Sequence, residues 1–259
     1  MPRWGTGAVG NSAVGHGGAI QGVPQGIYEE SATQQAPIGT KLELEDGRIF
    51  RYASFAGAAV NRGIMTSTDV SVTCAVEMNA APDAAYAAGV KVVTLDNAAL
   101  ASRAADIFAG GYLHITDDDG KGYTYRIKGN TASSSNAVTF TLYDGLQAAL
   151  VAANTDAAIT GNKWSTLRIS DATDSNKVDY IPAGVTPISF TASYYGWVQT
   201  KGIATVLADG TIAEGDNLTL SDGTDGSVQT QDAYTEALVG IATFAPDSGG
   251  HVGIDLRLE

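Results

Sequence analysis

Residues 194–222 read Tyr-Tyr-Gly-Trp-Val-Gln-Thr-Lys-Gly-Ile-Ala-Thr-Val-Leu-Ala-Asp-Gly-Thr-Ile-Ala-Glu-Gly-Asp-Asn-Leu-Thr-Leu-Ser-Asp, so short runs rich in aromatic and β-branched residues are cut repeatedly by glycine. Such runs favour a pleated, half-buried backbone, and glycine admits the turn conformations that other residues resist. The stretch predicts three short strands. Residues 197–201 and 203–207 are parted by Gly202, Asp209-Gly210 is a two-residue hairpin signal, and residues 218–220 alternate before Ser221-Asp222-Gly223.

The same grammar recurs along the chain. Lys41-Leu42-Glu43-Leu44-Glu45 alternates, Asp46-Gly47 turns, and Arg48-Ile49-Phe50-Arg51-Tyr52 returns, which predicts a hairpin. A second hairpin is predicted over residues 111–128 around the polar loop 117–122, with a third strand carrying Val138, Phe140 and Leu142. Val252, Ile254, Leu256 and Leu258 fall on one face of a terminal strand. Residues 70–73, 90–95, 164–169 and 177–181 are weaker strand candidates. Short helical pieces are expected at 78–89, where Pro82 would start a turn, at 98–108, which fits a helix or an extended connection, and at 146–153. The fold class is therefore mainly β.

Residues 1–36 differ from all of this. Glycine stands at nearly every second or third position from Gly5 to Gly26, with no helix or strand period. Burying the large apolar groups Trp4, Val9, Val14, Ile20, Val23, Ile27 and Tyr28 would contribute roughly 10 to 20 kcal/mol. Ordering the backbone would cost on the order of 40 to 70 kcal/mol. Residues 1–36 are thus expected to be an extended arm that needs another chain's surface to order. Residues 37–77 and 188–259 are expected to form a discontinuous β-barrel or sandwich base, with 78–187 an inserted β-rich domain.

Charge narrows the function classes. The formal net charge is −13, and the 15 basic residues are scattered singly, which argues against nucleic acid as a partner. No run approaches the ~18 apolar residues of a membrane span or the apolar core of a signal peptide, so neither membrane nor export by that route is expected. Cys74 is the sole cysteine and excludes an internal disulfide framework. Gly5-Thr6-Gly7-Ala8-Val9-Gly10 matches the dinucleotide fingerprint in letters, but Met1 to Trp4 are too few for the strand that motif requires. Asp117-Asp118-Asp119-Gly120, and the group Asp222, Asp225 and Asp232, lack the spacing of a calcium loop. His16, His114 and His251 stand singly and no Gly-x-Ser-x-Gly elbow exists, while the 28 acids leave carboxylate pairs undetermined. The expectation is a protein that is not an enzyme and carries no cofactor or metal. Tyr194, Tyr195 and Trp197 fit core or intersubunit packing, or the lining of a carbohydrate or peptide groove.

Trp197-Val198-Gln199-Thr200-Lys201-Gly202, Ala208-Asp209-Gly210, Ala213-Glu214-Gly215-Asp216, Val239-Gly240-Ile241-Ala242 and Val252-Gly253-Ile254-Asp255-Leu256 together form a pattern. It resembles the small β-barrel head decoration, or cement, proteins of tailed bacteriophages. Residues 39–52 and 108–143 look like segments of larger phage virion proteins of this kind. The resemblance implies a structural virion protein that binds the major capsid protein on the outer capsid surface, usually as a trimer or other small homo-oligomer, and stabilises the shell. On that reading Trp4, Ile20, Val23, Ile27, Tyr28, Tyr194, Tyr195 and Trp197 are the candidate partner contacts. The chain departs from the family by its length, through residues 78–187. A phage tail or fibre protein, or a host-surface carbohydrate-binding module using the inserted domain, is the alternative.

Overall fold

A computed structural model describes residues 25–69, 76–117, 120–151, 155–172, 180–233, 236–245 and 250–259. Trp4, Ile20, Val23, Cys74, the strand candidate at 70–73 and most of that at 177–181 lie outside them. The described residues are mainly β. In chain order the strands are β1 (Lys41–Glu43), β2 (Ile49–Ser54), β3 (Met65–Asp69), β4 (Val76–Pro82), β5 (Val92–Asp96), β6 (Tyr112–Ile115), β7 (Thr124–Asn130) and β8 (Ala137–Leu142). They continue with β9 (Ala157–Thr160), β10 (Leu167–Ile169), β11 (Tyr180–Val185), β12 (Tyr195–Leu207), β13 (Asn217–Leu220), β14 (Val228–Thr230), β15 (Gly240–Phe244) and β16 (His251–Arg257).

The chain divides into two compact units, one of Met1–Ser67, Thr166–Val178 and Pro182–Glu259, the other of Thr68–Ser165 and Asp179–Ile181. The boundaries expected from sequence shift accordingly. The insertion begins and ends earlier than 78–187, because β10 and β11 flank β3 in the sheet of the first unit. Residues 25–36, assigned to the arm, belong to that unit as well, with Gln25, Ile27 and Ala36 buried.

The first unit is a large sheet ordered β10-β3-β11-β12-β16-β15-β13-β14, with β2 pairing both β12 and β1. The hairpin over residues 41–52 forms as expected, Lys41 opposite Arg51 and Glu43 opposite Ile49. Two expectations from residues 194–222 are corrected. Gly202 does not separate two strands: it takes φ of +83° inside the 13-residue β12, which stays in register with β16 from Lys201–Arg257 to Leu207–His251. A bulge lies just before Gly202, seen as a register shift against β2 between Gln199 and Lys201. The Gln199 amide donates to the carbonyls of Lys201 at 3.1 Å and Ile203 at 2.9 Å beside it. Asp209-Gly210 likewise closes no hairpin, since β13 pairs with β14 and β15 rather than β12. The alternation of β16 buries Val252, Ile254 and Leu256 with Val206, Leu218, Val228 and Val239.

The second unit is a closed barrel, β4-β5-β8-β7-β6-β9. Its walls alternate with the period of a half-buried strand, Tyr125 and Ile127 facing in between exposed Thr124, Arg126 and Lys128. Leu95, Leu113, Ile115, Ile127, Phe140 and Ile159 share the core with Leu100, Phe108, Leu146 and Leu150. Among the described residues no α-helix forms at 78–89, at 146–153 or at 98–108, where the sequence fits either a helix or an extended connection. Residues 76–82 are strand, with Pro82 at its end opposite Leu95, where a missing N–H costs little. Within 98–108 only a 3-10 turn, Ala98–Leu100, forms, N-capped by Asn97. Ser102 and Asp106 take left-handed φ of 60° and 58°. Beyond the turn, buried Asn130 accepts from the Phe108 N–H and donates to the Ala104 carbonyl, so those backbone groups serve the barrel wall instead of a helix. Leu146 and Leu150 are buried four residues apart as in a helix, yet Leu150 exchanges both backbone hydrogen bonds with Tyr86.

On the barrel wall, His114 spans its neighbours, Nδ1 lying 3.1 Å from the Thr124 hydroxyl and Nε2 2.9 Å from that of Thr160. Burial holds its pKa below the ordinary 6.5, favouring the neutral ring. The unfolded chain therefore takes up the proton first as pH falls, and the stability His114 contributes is full above about pH 6.5 and declines below it. Urea unfolding at pH 7.5 and 5.5 should show a smaller acid-induced loss for His114→Gln than for the parent. Equal losses would place the acid sensitivity elsewhere.

Candidate functional site

Of the candidate partner contacts that the structure describes, Ile27, Tyr195 and Trp197 meet near the start of β12, with Tyr194 just before it. Trp197 and Tyr52 sit opposite each other on β12 and β2, both fully buried, their rings edge to face at 5.2 Å. Tyr195 stacks on Tyr52 at 6.5 Å. Onto this aromatic wall the chain lays residues 25–31. The Trp197 indole N–H donates to the Gln25 carbonyl at 3.1 Å, and the Tyr52 hydroxyl donates to Gln25 Oε1 at 2.7 Å. Burial pushes the Tyr52 hydroxyl pKa up, which keeps that donor protonated. Ser31 and Tyr195 exchange backbone hydrogen bonds of 3.0 and 2.8 Å, adding a one-residue bridge to β12. Gly196 permits the packing, since a Cβ there would lie 2.1 Å from the Phe190 ring.

Two of the candidate contacts are thereby reassigned. Trp197 and Ile27 are buried against their own chain, and their role is to fasten residues 25–31 rather than to meet a partner. The reason is geometric: a strand alternates faces, and the face that carries Trp197 is the one residues 25–31 cover. Tyr194 and Tyr195 are half-buried, and Tyr28 is half exposed.

Tyr28 instead lines a cleft of about 520 Å³ on the first unit, in the size range of small-ligand and peptide sites. Arg48 and Tyr28 stand in its lining with Arg62, Gly63 and His251, together with Val185, Thr186, Gln199 and residues 203–205 of β12. Gly63 matters here because a Cβ on it would come within 2.8 Å of the His251 ring. Arg48 packs its stem by the Gly202 bulge and its guanidinium donates to Asp46 at 2.7 Å. Burial opposes the Arg48 charge, but the hydrogen bond to the Asp46 carboxylate outweighs it and raises the pKa. Among the described residues Arg62 forms no ion pair. Ile203, well exposed, adds an apolar rim.

The lining thus gathers two guanidiniums, an imidazole and a phenol on a chain of net charge −13, with Asp46 pairing the Arg48 guanidinium from outside the lining and Arg62 left as the unpaired cation among the described residues. Such a concentration of donors suits an anionic group with a short apolar neighbour. Sequence reasoning missed it because Arg48, Arg62 and His251 come from distant segments, and Arg62 lies in a stretch of small residues with no period of its own. Among the described residues no cluster of three His, Cys, Asp or Glu side chains could hold a metal ion.

Replacing Trp197 by Phe keeps much of the packing but strips the Gln25 carbonyl of its donor, a loss of about 1 to 3 kcal/mol in denaturant unfolding. Amide exchange at Ile27 and Ser31 should quicken more than in the barrel if the indole is the fastening. Comparison with family models, with curated proteins and with solved structures found no match to this chain.

Proposed function

We propose that the protein is a structural component of a tailed-phage virion that attaches to the outer surface of the capsid and stabilises the shell. The observation that carries this reading is the cleft beside β12, whose lining holds Arg48, Arg62 and His251, with Arg62 free of any ion pair among the described residues. An otherwise acidic molecule repels an acidic partner over most of its surface and admits it at one place, which fixes orientation as well as affinity. The partner is then an acidic, partly apolar segment of the major capsid protein. Acidity elsewhere suits the exterior of a particle rather than its DNA-facing side. The resemblance of residues 197–256 to decoration proteins supports the same assignment, and with it a small homo-oligomer, a trimer being favoured. The Gly-rich residues 1–24 precede the segment fastened by Trp197, and their composition suits extended pairing on a neighbouring chain.

The test is cosedimentation with purified capsids that lack this protein, at low and high salt. Arg62→Glu should weaken capsid binding by about tenfold or more and flatten its salt dependence. Removing residues 1–24 should leave the melting of the free protein unchanged and lower both capsid binding and the survival of virions on heating. Binding undiminished by either change would overturn the proposal. Light scattering checks the oligomer separately, a trimer mass being expected and a monomer mass at micromolar concentration refuting it.

A further inference from the structure

The barrel carries a second set of exposed groups that the cleft does not use. Arg126 stands directly opposite Tyr112 across the β6–β7 pair. From the other side Tyr143, one residue past β8, donates its N–H to the Arg126 carbonyl at 3.0 Å. Opposed residues on adjacent antiparallel strands share a face, and the alternation of β7 sends Arg126 outward between buried Tyr125 and Ile127. Tyr112, Arg126 and Tyr143 therefore form one row on the outer wall.

The Arg126 guanidinium lies 5.0 Å from the centroid of the Tyr143 ring, which orients it. The Lys91 ammonium lies 2.8 Å from the Tyr143 carbonyl, placing a second cation beside the same residue. Tyr112 and Tyr143 remain 45% and 46% exposed. Among the described residues neither Arg126 nor Lys91 forms an ion pair. Two aromatic side chains and two cations without carboxylate partners are thus held in water on a strongly acidic protein.

We propose that this row is a glycan-binding site for a sugar chain that bears a carboxylate, of the uronic or sialic kind, whatever surface the first unit occupies. Two strand spacings put Tyr112 and Tyr143 roughly 10 Å apart, a span comparable to a disaccharide. Tyr112 offers a flat apolar face to the C–H groups of a pyranose ring, and its hydroxyl stays wet. Arg126, held by Tyr143, presents its fork of donors to the carboxylate, with Lys91 as the second positive charge. A single-stranded nucleic acid fits less well, because it requires cations that track a long run of phosphates, and the net charge of −13 opposes so dense a polyanion.

The experiment is saturation-transfer NMR on the full chain with sialyllactose and a glucuronic-acid-terminated disaccharide, lactose as the uncharged control, and oligothymidylate as the nucleic-acid control. Acidic sugars are expected to show transfer, and lactose less. Arg126→Gln should lower affinity for the acidic sugars about tenfold and erase their preference over lactose. Tyr112→Ala should lower affinity for charged and uncharged sugars alike. Tyr123→Ala, equally exposed at 45% but outside the row, should change nothing and controls for general loss of surface tyrosine. These are exterior positions, and unchanged melting of each variant verifies the fold. No transfer to any sugar, or transfer unaffected by Arg126→Gln and Tyr112→Ala, would overturn the proposal. Binding of oligothymidylate in place of sugar would overturn it in favour of nucleic acid.

Discussion

A single glycine conformation underlies the first unit. At φ of +83° Gly202 follows a bulge without breaking β12, which pairs with β2 from Tyr195 to Lys201 and with β16 from Lys201 to Leu207. A residue with a Cβ would be strained in that region, and the Cβ would press to within 3.1 Å of the Arg48 side chain. The bulge exposes carbonyls that the ladder cannot serve, and Gln199, almost fully buried, satisfies two of them with one amide. The fold and the cleft therefore share a cause. The irregularity that keeps the strand whole also seats Arg48 next to Tyr28 and leaves residues 203–205 in the cleft lining.

The barrel solves a different problem. Closure leaves no sheet edge to pair with other chains, and interior positions every second residue make one apolar core from strands that are individually short. With its interior committed, chemistry on this unit is confined to the outer wall and the loops. The side chains of β6, β7 and β9 show how the wall is used: His114 binds strands together, while Arg126 and Tyr112 are left to the solvent.

Strand existence was legible wherever alternation was strict, as at Lys41–Glu43, Thr124–Asn130 and His251–Arg257, because a period of two with one buried face has little other meaning. What misled were local signals that tertiary partners override. Gly202 and Asp209-Gly210 looked like turns, but their role depends on which strands lie alongside. Leu146 and Leu150 kept a helical spacing while a bridge to Tyr86 claimed the backbone. Of the site, only aromatic character was visible: Trp197 and Ile27 were recognisable as anchors, but not that they grip their own chain. The cleft was invisible, because Arg48, Arg62 and His251 meet only after the sheet is assembled.

Ile27 and Tyr28 are neighbours with opposite allegiances, one sunk in the aromatic core, the other in the lining of the cleft with Arg48. Any group that fills the cleft therefore touches the segment whose other end is pinned by Trp197. One wall of the cleft is thus built from residues near the start of the chain that are held in place by an indole far along it.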